Sequence, residues 1–295
     1  MKASILLITY NHELFIAQAI ESILMQEGIS AFEIVVSDDH STDHTMSVVR
    51  QLLLNRPATR IFSNEQNLGI TKNYQHSFSL CRGEYILVLE GDDYWVDPLK
   101  VKTQVNFLEN NPGCVMCAHP FLIKKDNKDE LIPFNINEQK PVEFFECKDL
   151  IMDPSIISNF STACYRRSML QKISPATYDV VSYEWMINMS VAQFGPIGKI
   201  NKLMSVYRIS SSGQWSKFSE EEKLIGNINI LPEYDRILEG RYHIYFEKKI
   251  ALFKEELDKL YMSRKNSARS PIHSTIINIL NKVMHRLLPK KKQIY

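Results

Sequence analysis

Several signals that identify a protein class directly are missing from this chain of 295 residues. Neither GxGxxG nor GxxxxGK(S/T) occurs in it, which excludes a dinucleotide fingerprint and a P-loop as the means of holding phosphate. Its five cysteines follow no regular spacing, so they indicate no disulfide framework and favour a reducing compartment. The first apolar run, Ile5 to Ile8, is too short for a signal peptide or a spanning helix, so we expect a cytoplasmic protein.

Acidic residues are absent from the end of the chain, after Asp258. Residues 1–258 carry 26 basic and 34 acidic groups, which argues against a nucleic-acid partner for the body of the protein. Within the basic end, residues 274–292 repeat apolar side chains at helical spacing, which predicts an amphipathic helix on an anionic membrane surface. The location would then be peripheral, on the inner face of the cytoplasmic membrane. The alternative is a helix docked on the acidic body or on a second copy of the chain, as a homo-oligomer.

The chain does contain a cluster of carboxylates directly after an apolar strand. Ile86 to Leu89 are typical of a strand buried on both faces, and Glu90, Asp92 and Asp93 follow at once. Carboxylates this close repel one another unless a cation lies among them, and oxygen ligands suit Mg²⁺ or Mn²⁺ better than zinc. The alternative is an acidic turn before a helix, with Asp97 as the N-cap.

Apolar strands alternate with amphipathic helices along the first part of the chain. The predicted strands are Ser4 to Ile8, Phe32 to Val36, Arg60 to Phe62 and Ile86 to Leu89. Such an order predicts an α/β fold in which a mostly parallel sheet carries helices on both faces. Right-handed crossovers place the carboxyl ends of the strands along one edge, so the polar residues after three strands should meet in a ligand-binding crevice. From residue 217 onward the composition predicts a helical extension.

Four sequence blocks, in this order and at this spacing, resemble the family 2 inverting glycosyltransferases with the GT-A fold. The blocks are ILLITYNHELFIAQAIESILMQ, EIVVSDDHSTDHT, NEQNLG and YILVLEGDDYWVDPLK. The likeness is close over residues 1–112 and extends to residue 216. It implies a Rossmann-like GT-A catalytic domain at 1–216, with a nucleotide-sugar-binding half at 1–112 and an acceptor-binding half at 113–216. The extension, 217–295, would follow as a separate part.

The resemblance also implies roles for single residues in these blocks. Nucleotide-sugar binding is implied for Thr9, Tyr10, Asn11, Glu13, Asp38, Asp39, Asn67, Gly69, Asp92 and Arg208. Asp39, or Asp38 beside it, would hydrogen-bond the base, usually uracil. Asp92 and Asp93 stand where the family has its metal-binding DxD element, and Glu90 takes the first acidic position of the more usual DxDD.

Glu184 stands where the resembling family places its catalytic base, at the start of a helix closed by Gly195. A carboxylate there can also cap the helix or pair with its dipole, and spacing alone leaves the two interpretations level. The resemblance favours the base. Tyr207 and Arg208 resemble the YR motif that ends the catalytic module, with Ser210 where many relatives have histidine. Acceptor binding is assigned to the tryptophans Trp95, Trp185 and Trp215, with anchoring packing as the alternative for the last.

These features predict an inverting glycosyltransferase that uses a nucleoside-diphosphate sugar, with UDP as the expected nucleotide, a saccharide acceptor and Mn²⁺ or Mg²⁺. The resemblance suggests a role in bacterial O-antigen, capsule or lipooligosaccharide assembly, with a lipid-linked acceptor. A nucleotidyltransferase is the rival with the same fold, but TYNHELF lacks the basic residues that it would need. A catalytically silent nucleotide-sugar-binding module is the rival from another class. Asp92, Asp93 and Glu184 argue against it, and Ser210 keeps it open.

Overall fold

A computed structural model describes residues 1–29, 31–125, 130–181, 184–209 and 217–267. The chain divides after Ser210 into two compact units. Predictions for Ser210, Trp215 and the helix at 274–292 fall outside the described residues. Among the residues that are described, no helix has the length and apolar character needed to cross a membrane.

The first unit begins with alternating strands and helices, as the sequence predicts. The strands β1 to β4 span Ala3–Thr9, Phe32–Asp38, Thr59–Ser63 and Tyr85–Glu90. The helices α1 to α3 between them span Ile16–Leu24, Thr45–Leu53 and Ile70–Leu80. β1 pairs in parallel with β2 and with β4, and β2 pairs in parallel with β3. All four strands therefore end at the same edge of the sheet.

In the remainder of the first unit, strands and helices no longer alternate one by one. The strands β5 to β12 span Tyr94–Trp95, Met116–Ala118, Phe121–Lys125, Leu131–Phe134, Val142–Phe145, Cys164–Arg166, Ile197–Ile200 and Ser205–Ile209. The helices α4 to α7 span Lys100–Asn110, Cys147–Met152, Arg167–Leu170 and Glu184–Ala192. Short 3₁₀ turns lie at Pro154–Ile157, Phe160–Thr162 and Pro175–Tyr178.

These strands complete one large sheet and form a smaller one. The large sheet has the order β3-β2-β1-β4-β10-β6-β11-β9, and the small sheet has the order β5-β12-β7-β8. β10 is antiparallel to both of its neighbours, so the strand direction changes directly beside β4. The turn from Gly91 to Asp93 joins β4 of the large sheet to β5 of the small one. The predicted α/β fold, with helices against a central sheet, is confirmed.

The central strands are buried because helices cover both faces of the large sheet. Ala3, Ile5 and Leu7 of β1 pack with α1, α2 and α4 in the main core. On the opposite face α3 packs against β2, where the hydroxyls of Ser77 and Ser37 are 2.7 Å apart. Burial on both faces explains the near-continuous apolar runs in the middle of these strands.

Lys100, at the start of α4, is fully buried in this core. Its Nζ donates a hydrogen bond to Oε1 of Gln104 at 2.7 Å and lies 4.1 Å from the centre of the Trp95 ring. Burial lowers the pKa of this ammonium group to about 7. One hydrogen bond and one aromatic face therefore stabilise the ammonium group of Lys100 in the core.

The segment from Val142 to Met152 is the strand β9 followed by α5, because Glu146 forms a capping box with Asp149 and starts the helix there. One alternative from the sequence analysis is corrected by the structure. Asp97 is not the N-cap of α4: its Oδ1 accepts from the N–H of Leu99 at 2.9 Å in the turn before the helix.

The described part of the second unit, residues 217–267, contains two helices, as its composition predicts. α8 spans Glu220–Ile237 and α9 spans His243–Ser267. Ser219 and Glu222 form a capping box at the start of α8. Glu221 on α8 accepts hydrogen bonds from the Tyr261 hydroxyl, at 2.9 Å, and from Arg264, both on α9. These contacts hold the two helices side by side.

Candidate active site

The turn after β1 is fastened to the turn after β2 at the polar edge of the sheet. Asn11 has a left-handed backbone, with φ of 54°, a conformation that asparagine tolerates better than most residues. Its N–H donates to Oγ of Ser41 at 2.9 Å, and its Oδ1 accepts from the N–H of Thr42 at 2.8 Å. Glu13 accepts from the N–H of His44 at 2.9 Å. The Asn11 and Glu13 side chains therefore build this wall of the crevice.

Asp39 is a buried anchor for the loop that contains NEQNLG. Its Oδ1 accepts from Nδ2 of Asn64 and from the N–H of Leu68, both at 2.8 Å, and its Oδ2 accepts from the N–H of Gly69 at 3.0 Å. Asn67 donates from Nδ2 to the backbone oxygen of Asp39 at 3.0 Å. The residues that the resemblance assigns to this block are thus brought together, with the Asp39 carboxylate directed at the loop.

Asp38, at the end of β2, is also buried. Its Oδ2 accepts from Oγ of Ser63 at 2.6 Å, and its Oδ1 accepts from the N–H of Ser41 at 3.1 Å. Thr9, opposite Asp38 in the sheet register, is 2% exposed, whereas Tyr10 is 40% exposed. Tyr10 is therefore open to a ligand, while base recognition by Asp38 or Asp39 stays a prediction.

Asp93 is turned into the protein and is completely buried. Its Oδ2 accepts from Nδ2 of Asn159 at 2.9 Å and from Oγ of Ser161 at 2.7 Å, and its Oδ1 accepts from the N–H of Arg208 at 3.0 Å. Burial raises the pKa of this carboxyl to about 7, and repulsion from Asp92 adds to the rise. With both oxygens engaged, Asp93 ties β12 and the 3₁₀ turn to the end of β4, which differs from its expected role as a metal ligand.

Asp92 faces the other way, toward the open side of the crevice. Its side chain is 38% exposed, and Oδ2 lies 3.9 Å from Nε2 of His12. Nδ1 of the same imidazole lies 3.2 Å from Oγ1 of Thr9. The two aspartates of one turn therefore have different surroundings, and Asp92 is the one whose carboxylate a ligand can reach.

A divalent cation could be held at this edge only if a bound phosphate or water supplied some of its ligands. Among the described residues, no group of three or more His, Cys, Asp and Glu side chains lies close enough to enclose a metal ion. The expected set of Glu90, Asp92 and Asp93 is thus not gathered around one point. Mg²⁺ and Mn²⁺ are commonly held by one or two side chains, with phosphate oxygens and water as the other ligands. The open carboxylate of Asp92 suits that arrangement.

Glu90 is the last residue of β4, and its carboxylate faces Tyr74 of α3. Its Oε1 accepts from the hydroxyl of Tyr74 at 3.0 Å, and its N–H donates to Oγ of Ser161 at 3.1 Å. Burial raises the pKa of Glu90 well above its usual value, and the negative charges of Asp92, Asp93 and Glu184 raise it further. Glu90 is therefore protonated more readily than an ordinary glutamate.

Arg208, at the end of β12, lies across the turn that carries Asp92. Its guanidinium is 5.1 Å from the Phe15 ring centre and 4.5 Å from that of Tyr94. It donates hydrogen bonds to the backbone oxygen of Asp92 and to the side chain of Gln18. This positive group is thus fixed beside the site between two aromatic faces.

Glu184 is the first residue of α7. Burial raises the pKa of its carboxyl to about 7, while its own backbone N–H opposes the rise. Its charge raises the pKa values of Glu90, Tyr74 and Tyr165, so Glu184 lies in the same electrostatic environment as the end of β4. The structure therefore brings Glu184 near the carboxylates that follow β4.

One turn further along α7, Asn188 is completely buried. Its Oδ1 accepts from the hydroxyl of Tyr165 at 2.6 Å, and its Nδ2 has no partner among the described residues. Glu184 and Asn188 share a face of the helix because they are four residues apart. Tyr165 and Asn188 thus form a polar layer beneath the start of α7.

Of the three predicted acceptor tryptophans, the structure describes Trp95 and Trp185. Trp95 is 1% exposed, and its Nε1 donates to the backbone oxygen of Ser161 at 3.1 Å, so its predicted contact with an acceptor is wrong. Its side chain faces the core, beside Lys100. Trp185 is partly exposed and donates from Nε1 to the backbone oxygen of Leu150 at 2.7 Å.

Sequence reasoning missed three residues of the site: His12, Asn159 and Ser161. His12 stands inside a block that was recognised, but only the fold places its ring beside Asp92. Asn159 and Ser161 are small polar residues in a segment without a distinctive pattern, and no sequence signal marks them.

Comparison with known proteins now adds to this geometry. A family model described as glycosyl transferase family 2 matches residues 4–174. An uncharacterised protein of Mycobacterium bovis is 32% identical over 227 residues, which make up 75% of this chain and 62% of that protein. The chain therefore spans less than two thirds of the length of this relative.

Two further proteins with known names are similar over part or most of the chain. The poly(ribitol-phosphate) beta-N-acetylglucosaminyltransferase TarS of Staphylococcus aureus is 29% identical over 119 residues, or 39% of this chain and 20% of that protein. A crystal structure of S. aureus TarS with UDP-GlcNAc matches at a TM-score of 0.68 and 17% identity, covering 98% of this chain and 82% of that one. The mannosyltransferase PcManGT of Pyrobaculum calidifontis, solved with GDP-Man and Mn²⁺, matches at 0.57 and 15% identity, covering 96% and 85%. At these identities the two structures establish the fold.

Proposed function

The chain belongs to glycosyl transferase family 2, and we propose that it is an inverting glycosyltransferase acting on a nucleoside-diphosphate sugar and a saccharide hydroxyl. The observation that carries this proposal is that the charges of Asp92 and Glu184 both act on Glu90, at the end of β4. One carboxylate is open to a ligand, and the other, at the start of α7, has a pKa raised to about 7.

Glu184 is suited to act as the general base. A carboxyl with a pKa near 7 is largely ionised just above neutral pH and still binds a proton strongly enough to remove one from a hydroxyl in the transition state. The acceptor oxygen would attack the anomeric carbon from the face opposite the leaving diphosphate. An α-linked donor would therefore give a β-glycoside, and the name of TarS describes such a β-transfer for that protein.

The leaving diphosphate would be held at the other side of the site. Asp92 is the proposed ligand of Mn²⁺ or Mg²⁺, which supplies charge neutralisation for the diphosphate when bound. Support comes from the open carboxylate and from the presence of Mn²⁺ in the PcManGT structure. The guanidinium of Arg208, fixed on the same turn, adds positive charge beside that position.

The proposed donor is supported by a matching structure, and the proposed pathway by the resemblance of the sequence. UDP is the proposed nucleotide because the TarS structure that matches this fold holds UDP-GlcNAc. Tyr10 is exposed where the base would lie. For the acceptor we propose a bacterial surface polysaccharide, such as O-antigen, capsule or lipooligosaccharide, in lipid-linked form. Residues 1–216 would form the catalytic domain, and the basic helix at 274–292 would place it on the cytoplasmic face of the membrane.

The test is a panel of nucleotide sugars, with and without Mn²⁺, read by thermal shift and by release of nucleoside diphosphate. A glycosyltransferase is expected to be stabilised by one nucleotide sugar and to release its diphosphate, and Glu184→Gln should keep the shift and lose the release. A silent binding module would give the shift without any release. Pyrophosphate release from a nucleoside triphosphate and a sugar phosphate would instead identify a nucleotidyltransferase.

A further inference from the structure

A histidine that the sequence blocks do not single out lies against the open carboxylate of the site. We propose that His12 binds the divalent cation together with Asp92, its Nε2 being the second protein ligand. This inference rests on the proposed function, because the same cation would neutralise the diphosphate of the donor. It extends that function by a residue on the β1–α1 turn, which the DxD element does not include.

His12 is held by one hydrogen bond from its backbone and by one contact of its ring. The backbone N–H of His12 donates to Oγ1 of Thr45 at 2.8 Å, and Nδ1 of the ring lies 3.2 Å from Oγ1 of Thr9. Both threonines are buried, at 0% and 2% exposure. When Nδ1–H donates to the Thr9 oxygen, the lone pair resides on Nε2. Metal-binding histidines are oriented in this way, by a hydrogen bond from the ring nitrogen that does not bind the metal.

Gly91 provides the space that this ring needs. A Cβ at this position would lie 2.7 Å from Nδ1 of His12 and 2.6 Å from Oγ1 of Thr9. Any side chain there would push the imidazole away from the turn that carries Asp92. The glycine between Glu90 and Asp92 thus allows the histidine and the aspartate to face each other.

The gap between the two candidate ligands is about 1 Å wider than a bound ion requires. Nε2 of His12 and Oδ2 of Asp92 are 3.9 Å apart, and their side chains are 23% and 38% exposed. This distance exceeds the roughly 3.2 Å limit of a good hydrogen bond. Adjacent ligands at about 2.1 Å from an octahedral ion are roughly 3 Å apart, so a shift of about 1 Å would close the site. Rotation of the exposed Asp92 side chain supplies such a shift.

A nitrogen ligand changes which ion the site prefers. Mg²⁺ favours oxygen ligands, whereas imidazole contributes more to binding of transition metals such as Mn²⁺ and Co²⁺. His12 should therefore raise the preference for Mn²⁺ over Mg²⁺. In the competing arrangement, His12 is protonated and contacts the donor phosphate directly, with no bond to the metal. Nitrogen coordination separates the two cases.

The experiment uses the full chain with UDP and Mn²⁺ and measures both affinity and coordination. Electron paramagnetic resonance of free Mn²⁺ gives the dissociation constant, and electron spin echo envelope modulation detects a ¹⁴N nucleus bound to Mn²⁺. The variants are His12→Ala, His12→Gln, which keeps more of the side-chain volume, and Asp92→Asn. His76→Ala, at an exposed position of α3, is the matched control.

The wild type and the control are expected to show a ¹⁴N signal that both His12 variants lose. Each His12 variant should also bind Mn²⁺ on the order of 10-fold more weakly and Mg²⁺ almost unchanged. If the wild type binds Mn²⁺ through Asp92 but gives no ¹⁴N signal, the role of His12 is overturned and the metal-dependent function stands. Absence of Mn²⁺ binding, or binding insensitive to Asp92→Asn, would overturn the metal-dependent function as well.

Discussion

Two adjacent aspartates at the end of β4 face opposite ways, so isosteric amide substitutions should separate their roles. Asp92→Asn removes the charge of a side chain that is 38% exposed, and the free energy of unfolding should hardly change. Asp93→Asn alters a buried carboxylate that accepts three hydrogen bonds. We expect it to destabilise the protein, whereas Asp92→Asn should abolish metal-dependent turnover in a fully folded protein.

The magnitude follows from counting the donors around Asp93. Asparagine offers one acceptor oxygen where aspartate offers two. If that oxygen keeps the bonds from Asn159 and Ser161, the new amide faces the N–H of Arg208 and leaves a buried donor without a partner. Such a donor costs about 1–3 kcal/mol. Loss of the repulsion between the two aspartates offsets part of this cost. For a unit of this size each kcal/mol lowers Tm by about 2–4 °C.

The effect of Asp93→Asn should also depend on pH. The pKa of Asp93 is raised to about 7 in the folded protein, against about 3.9 for an unperturbed aspartate. Between these values the folded state binds more protons than the unfolded state, so this group makes the free energy of unfolding fall as pH rises. The asparagine variant lacks that fall. Its deficit relative to the wild type should therefore be larger at pH 5 than at pH 8.

Thermal and denaturant unfolding of the wild type and both variants, at pH 5 and pH 8, measure these differences. The reasoning is refuted if Asp93→Asn unfolds at the wild-type temperature, or if Asp92→Asn loses as much stability as Asp93→Asn. A deficit that grows with pH would contradict the assigned direction of the pKa shift.

Two further predictions concern ionisable groups whose pKa values are shifted to about 7. Glu184→Gln should lower kcat by about 10²–10⁴ with little change in donor affinity. It should also remove the rise of kcat through about pH 7 that deprotonation of the base produces. A variant with a lower Tm and an unchanged kcat would indicate that Glu184 caps the helix instead. Lys100 has a pKa lowered to about 7, so between about pH 7 and 10 the unfolded chain binds more protons and the free energy of unfolding should rise with pH. Lys100→Met should lack this rise in denaturant titrations, and an equal rise in the variant would exclude Lys100 as its source.

The fold and the edge that carries the site could be predicted because they follow from local patterns. The apolar runs of β1, β2 and β4, with polar residues directly after them, specify parallel strands with aligned carboxyl ends. The position of Glu184 could not be predicted from its spacing alone, which fits a helix cap equally well. Its approach to Glu90 depends on how α7 packs in the folded chain.

The contrast between Asp92 and Asp93 could not be predicted for a related reason. The partners of Asp93 lie 66, 68 and 115 residues further along the chain, and nothing near Asp93 announces them. The burial of Trp95 could not be predicted either, because its direction into the core depends on the pairing of β5 with β12. Pairing across such sequence distances is decided by the tertiary structure, to which local propensity contributes little.

The position of β4 in the large sheet has a consequence for the order in which the chain folds during synthesis. Its neighbours are β1, which is made before it, and β10, which is made only when Cys164 to Arg166 leave the ribosome. Until then the nascent chain holds a strand with an unpaired edge and an apolar sequence, the kind of edge that pairs with other chains. The sheet begun by β1 to β4 therefore cannot be completed until β10 has been made.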